Sequence, residues 1–346
     1  MSPSRTRQPR VRLNSPVEIL ATVPFLIGYH PSLSIVIIGM TDRRVTFAAR
    51  DDLPADPEAD PDQVGYLVDV LLRQRCNRAL LVGYGGDDRV TPTMHALIDA
   101  FGDAAVEVDE ALRADGRRYW SYVCPNPRCC SPGGNRYDTA TSTAAAVWTL
   151  AGRVAHRDRD GYEAQIRPVT GAAREAMRHA TARAHERLLE LVAAGEDEDE
   201  TAARLLNAGN LAIAAALDRQ LRGTPPDGDE AAWLSVLLQS IAVRDIAWSL
   251  IRGSGSALEH HRALWQEVLH RAETELVPAP ASLFAFAAWR CGDGGIARLA
   301  LDRALAIDPH YRMAGMLHEA IVLGVPPSAL EDFPGGTEPH PQVRTR

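Results

Sequence analysis

The chain has 346 residues, 45 acidic and 37 basic, and a formal net charge of −8 at pH 7. With 46% hydrophobic and 24% charged residues it has globular composition, and its mild acidic excess offers no footprint for nucleic acid or an anionic membrane. The sequence holds no lysine, which excludes Schiff-base chemistry, a lysine general base, a phosphate-loop lysine and the protein-kinase lysine.

Arg5, Arg7, Arg10 and Arg12 precede the apolar run Ile19 to Ile27, but Glu18 and Pro24 interrupt it and no small-residue cleavage site follows. No stretch approaches the ~18 apolar residues of a membrane span, so cytoplasmic residence is expected. Five cysteines, an odd number, do not make a secreted disulfide scaffold.

In chain order, Ser15-Pro16-Val17-Glu18 is a capping box with proline at the first helical position, predicting a helix to about Ile27. Gly28-Tyr29-His30-Pro31 turns the chain into Leu33–Gly39, a β-branched run that reads as a buried strand, and Val45 to Ala49 reads as a second. Asp60-Pro61 opens a helix to about Cys76; Ala79 to Val82 is a strand; Thr91-Pro92 starts a helix through Phe101. Val106 to Val108 and the aromatic run Tyr119 to Val123 complete an alternation that predicts an α/β layered domain with a mixed or mostly parallel sheet.

Beyond Thr139 strand signals vanish. Helices are expected over Ala173 to Ala194, Thr201 to Leu221, Glu230 to Ile251 and Ala257 to Glu275, with the acidic run Glu196 to Glu200 at a helix start. The segment Ala281 to Asp293, followed by Ala297, Ala304-Leu305 and Asp308-Pro309, has the offsets of a tetratricopeptide-like helical hairpin, with a further helix over Tyr311 to Leu323. The expected organisation is a disordered N-terminus (1–13), an α/β domain with a cysteine-rich loop (14–138), an all-α region (139–327) and a disordered tail (328–346).

The most unusual segment runs from Cys124 to Gly134 and places Cys124, Cys129 and Cys130 within seven residues, just after the aromatic strand. Three readings stay open. Thiolates could bind zinc, with His30, His95 or Cys76 as a distant fourth ligand, although adjacent cysteines seldom share one ion. Cys124 could form a disulfide with Cys129 or Cys130, with Arg128 and Arg136 lowering a thiol pKa. Or the thiols simply fill a tight turn as small hydrophobes. Gly83, Gly85 and Gly86 suggest a phosphate-cradling loop, but the third glycine of a dinucleotide fingerprint is missing, so a strand-to-helix connection is favoured.

His30 is a candidate acid–base or ligand group, though a turn histidine more often satisfies backbone hydrogen bonds. Arg117 and Arg118, with Arg113, stand beside Tyr119, Trp120 and Tyr122; core aromatics with solvated arginines are expected there. His260, His261 and His270 form no metal-binding helix motif, and no hydrolase signature occurs.

Ser15-Pro16 with Val23-Pro24, Gly28-Tyr29-His30-Pro31 before Ser34–Gly39, and Arg117–Cys124 with Cys129–Gly134 together resemble a known group. It is the actinobacterial family catalogued as domain of unknown function 4192, and the resemblance runs from about Arg12 to Pro327. Ser131 stands where the family's proline is expected, with Pro132 one place later. The resemblance implies ancestry and brings no activity, catalytic residue or cofactor. Two functions are therefore expected: a non-catalytic ligand- or protein-binding module that docks a protein partner through its helical half, or a thiol- or metal-dependent enzyme at Cys124, Cys129 and Cys130.

Overall fold

The computed structural model describes residues 11, 13–151 and 153–330, so residues 1–10 and 331–346, most of the two segments expected to be disordered, lie outside the described residues. The chain divides into two compact units, one ending at Tyr162 and the next beginning at Glu163.

The first unit opens with α1 (Pro16–Ile27), started by Ser15, whose hydroxyl accepts from the Glu18 N–H, and ended by Gly28 at φ 92°. Next come β1 (Ser34–Thr41), β2 (Arg44–Asp52), α2 (Pro61–Arg73), β3 (Arg78–Tyr84), α3 (Asp87–Asp103), β4 (Glu107–Ala114), β5 (Arg118–Ser121), β6 (Asn135–Arg136) and α4 (Thr143–Leu150). The strands form one mixed sheet in the order β2-β1-β3-β4-β5-β6. β3 and β4 pair in parallel across the α3 crossover, and the other neighbours are antiparallel.

The buried run in β1 follows from its place inside the sheet. Ile35 and Ile37 face Leu67, Leu71, Met94 and Phe101 of α2 and α3, whereas Val36 and Ile38 face Ile19, Leu20 and Val23 of α1. Residues 143–150, assigned from the sequence to the all-α region but not read as a helix, form α4, which packs on α1 with Trp148 stacked on Phe25 at 6.3 Å between ring centroids.

Two boundaries differ from the sequence reading. α3 begins at Asp87 rather than Thr91, because Asp87 and Asp88 fill the first turn after Gly86, where carboxylates meet the positive end of the helix dipole. β4 runs on to Ala114, and its alternation of acidic and apolar residues concealed it. Arg78 neutralises Glu107 (2.5 Å) and also pairs with Asp109 at the exposed positions.

The chain passes into the second unit through α5 (Arg159–Glu163). That unit is helical: α6 (Gly171–Ala193), α7 (Glu198–Leu221), α8 (Gly228–Leu237), α9 (Ile241–Ser249), α10 (Ser256–Arg271), α11 (Pro278–Arg290), α12 (Gly294–Ile307) and α13 (Arg312–Val322). The single helix expected over Glu230 to Ile251 is two, since Ser240 has extended ψ and restarts the chain as the cap of α9. Residues 231–237 are all buried, so no amphipathic period marked the break. α11 is buried from Pro278 to Trp289 and packs on α10, α12 and α13. No helix among the described residues is long and apolar enough to cross a membrane.

His261 on α10 is buried, and its Nδ1 finds no hydrogen-bond partner among the described residues. Burial, with His260 beside it, lowers its pKa from 6.5, so the folded form binds a proton less readily than the unfolded chain. The stability it allows is therefore full above about pH 6.5 and falls on acidification. His261→Leu is expected to flatten the decline in Tm between pH 7 and 5, measured by thermal melts across that range.

Candidate metal centre

The three-cysteine loop hangs from the end of β5, which pairs with β4 through Leu112 and Ser121. The Ser121 hydroxyl donates to Glu110 Oε1 (2.6 Å) and accepts from the Cys124 N–H (3.1 Å), fixing where the loop leaves the sheet. Asn126 then curls the chain. Its side chain accepts from the Arg128 N–H (3.0 Å), and its carbonyl accepts from the N–H groups of Cys129 (3.2 Å) and Cys130 (2.8 Å).

The return limb is clamped as firmly. Trp120 Nε1 donates to the Pro132 carbonyl (3.1 Å), Arg118 donates to the carbonyls of Gly133 (3.0 Å) and Gly134 (2.6 Å), and Asn135 donates to the Cys129 carbonyl (2.7 Å). Arg118 is thus not solvated as expected but holds two loop carbonyls. β6 then closes the loop against β5.

These restraints bring Cys124 Sγ to 3.1 Å from Cys129 Sγ, and Cys129 Sγ to 3.8 Å from Cys130 Sγ, with all three sulfurs within 4.8 Å of one another. Adjacent cysteines therefore do converge here, contrary to the general expectation. A tetrahedral zinc ion with Zn–S bonds of about 2.3 Å sets its sulfurs about 3.8 Å apart, so one ion fits after shifts below about 1 Å. Cys129 is exposed and the other two are half-buried.

The thiols also set one another's acidity. Hydrogen bonds from Cys130 and Cys129 lower the Cys124 pKa, whereas burial, reinforced by Cys124, pushes Cys130 up to about 12. Cys129 is raised by Cys124. The Cys124 proton thus leaves more easily than that of a lone thiol, and the other two resist until a cation compensates the charge. Neighbouring sulfurs, not Arg128 or Arg136, cause the lowering.

The distant residues considered as a fourth ligand are not in this group. The Cys76 thiol is buried between the sheet and α2, 3.4 Å from Thr46 Oγ1. His95 lies edge-on to Tyr122. His30, exposed before β1, donates its backbone N–H to the His156 carbonyl (3.0 Å), and partial burial of its ring lowers its pKa.

Gly83, near the end of β3, and Gly85 and Gly86 just after it lie on the other side of β4 from β5 and the cysteine loop. Gly83 pairs with Arg113, while the cysteine limb descends past Leu112 toward Glu110. A Cβ on Gly83 would sit 2.2 Å from Val90 Cγ1, so this glycine permits strand–helix contact. Arg113 is buried, stacked 3.7 Å over Trp120 and 3.2 Å from Asp87, so it is not solvated either; Arg117 is exposed. Tyr119 and Tyr122, three residues apart along the chain, join opposite cores.

Sequence reading missed Glu110, Ser121, Asn126, Gly134 and Asn135. The signal for Asn126 was its place between two prolines, where an asparagine turn is favoured. Gly134 has φ 74°, and a Cβ there would lie 2.5 Å from the Trp120 ring. Gly134→Ala is expected to cost about 1–3 kcal/mol through backbone strain and the clash, read as a lowered denaturant midpoint.

The loop, the sheet beneath it and helices α1 to α13 all fall within residues 16–328, which match the model of one protein family. No curated protein and no solved structure matches the chain. The chain belongs to the family described as Domain of unknown function (DUF4192).

Proposed function

We propose that the protein is a cytoplasmic metal-dependent binding module, in which Cys124, Cys129 and Cys130 hold a zinc ion as thiolates. The observation that carries this reading is the mutual approach of three sulfurs within 4.8 Å on a loop braced at both limbs. Three thiolates leave a fourth coordination position for water or an incoming ligand, the arrangement that catalytic zinc sites keep open. That opening is what supports the second reading, a zinc-dependent enzyme at the same loop.

Cobalt(II) titration of the reduced protein tests the centre. Intense thiolate-to-metal absorption saturating at one equivalent is expected; weak octahedral bands, as for cobalt in water, would overturn it.

The helical unit, with α11 and α12 as a tetratricopeptide-like pair, is the docking region in this proposal. A groove of about 470 Å³ between α6, α7 and α8 is lined by Leu191, Leu211 and Trp233 among others. Its charged groups Arg204 and Glu230 pair with Glu200 and Arg219, while Arg187 lies 4.2 Å over Trp233. A net positive, apolar groove complements an acidic amphipathic helix of a protein partner. Arg187→Glu is expected to weaken binding of a Glu-rich model helix with leucines at i, i+3, i+4 and i+7 at least tenfold by fluorescence anisotropy; unchanged affinity would contradict this docking mode.

A further inference from the structure

The same loop holds two sulfurs closer together than an ion requires. Cys124 and Cys129 stand 3.1 Å apart, about 1 Å beyond a covalent S–S bond. Cys129 is exposed and Cys124 only half-buried, so a small oxidant reaches the pair without unfolding the unit. The intervening turn at Asn126 already brings the chain back on itself; the clamps from Trp120 and Arg118 lie on the return limb beyond Cys129, and the one from Asn135 holds the Cys129 backbone carbonyl rather than its sulfur. Closing the gap therefore asks only for side-chain rotation and a small loop adjustment.

We propose that Cys124 and Cys129 form a reversible disulfide under hydrogen peroxide, so that the metal centre is also a redox switch that releases its ion. The Cys124 sulfur attacks one peroxide oxygen; the O–O bond breaks, and hydroxide leaves as water after taking a proton, giving a sulfenic acid. The Cys129 thiol then attacks that sulfur; the S–O bond breaks, the S–S bond forms, and the second oxygen leaves as water with the thiol proton. Two electrons pass from the two sulfurs to the peroxide, and zinc keeps its charge throughout.

Cys129 is the resolving thiol because it is the close neighbour of Cys124. Cys130, next in the chain to Cys129, would need a strained ring to pair with it, and it sits deeper in the loop. The disulfide removes two of three thiolates, so the ion is left with Cys130 and departs. Disulfide formation stands on the sulfur geometry alone; ion release rests on the metal reading.

The test uses the full chain, reduced and freed of reductant anaerobically, with and without one equivalent of zinc. Stoichiometric hydrogen peroxide is added while a chromophoric chelator follows zinc, thiols are counted, and peptide mass spectrometry maps the linkage. The expected result is the loss of two of five thiols, a Cys124–Cys129 linkage, release of one zinc per chain and reversal by dithiothreitol. Cys130→Ser should keep the linkage and Cys129→Ser should lose it.

Retained zinc with unreacted thiols would overturn the switch while leaving the metal reading intact. A Cys124–Cys129 linkage in a protein that binds no zinc would support the disulfide and overturn the metal reading. A Cys124–Cys130 linkage, or irreversible oxidation of Cys124 in place of a disulfide, would overturn the pairing proposed.

Discussion

Cys129→Ser is expected to weaken zinc binding at least about 100-fold, measured by competition with a chromophoric chelator. Removing a hydrogen-bond partner of a ligand already costs 10–100-fold in affinity, and Cys129 is itself one of the converging sulfurs, 3.1 Å and 3.8 Å from the other two. Serine keeps the shape of the side chain but replaces a soft thiolate with an alcohol that does not ionise near neutral pH. Cys291→Ser, at the end of α11, serves as the control and should leave affinity unchanged. A variant at Cys129 that binds zinc as tightly as the parent chain would show that the ion sits elsewhere.

The largest stability effect is expected in the helical unit. Trp265 on α10 is fully buried, and its replacement by alanine is expected to cost about 3–5 kcal/mol by chemical denaturation, from lost apolar burial and the cavity left behind. Trp265 Nε1 has no hydrogen-bond acceptor among the described residues, so Trp265→Phe removes an orphaned donor while keeping most of the ring. Its cost should be well below that of alanine, because the cavity left is much smaller. Leu189→Ala, on the exposed face of α6, should change stability by less than about 0.5 kcal/mol. Equal losses at Trp265 and Leu189 would contradict the burial of α10.

Much of this architecture is written in local chemistry. Ser15-Pro16 with Glu18 specified the start of α1, and the β-branched run of β1 announced a strand with both faces covered. What local patterns hid was long-range. The alternating charges of β4 hid the strand beyond Val108 because their partner, Arg78, lies on the neighbouring strand. The break between α8 and α9 falls inside an apolar stretch without helical periodicity. Arg113 looked solvated because its burial depends on Trp120 and Asp87, which the sheet register brings to it.

The candidate centre was partly legible on the same terms. Three cysteines within seven residues were conspicuous, but whether adjacent thiols point the same way depends on the Asn126 turn and on the clamps from Arg118, Trp120 and Asn135. The glycine loop was the converse case. Its spacing resembled a phosphate cradle, yet Gly83 serves contact with Val90, and the strand order sets β4 between it and the strand that carries the sulfurs.

Zinc K-edge X-ray absorption on the reduced chain loaded with one equivalent of zinc tests the central claim most directly. Three sulfur neighbours at about 2.3 Å and one lighter neighbour at about 2.0–2.1 Å are expected. A shell of nitrogen and oxygen alone would contradict the three-thiolate centre.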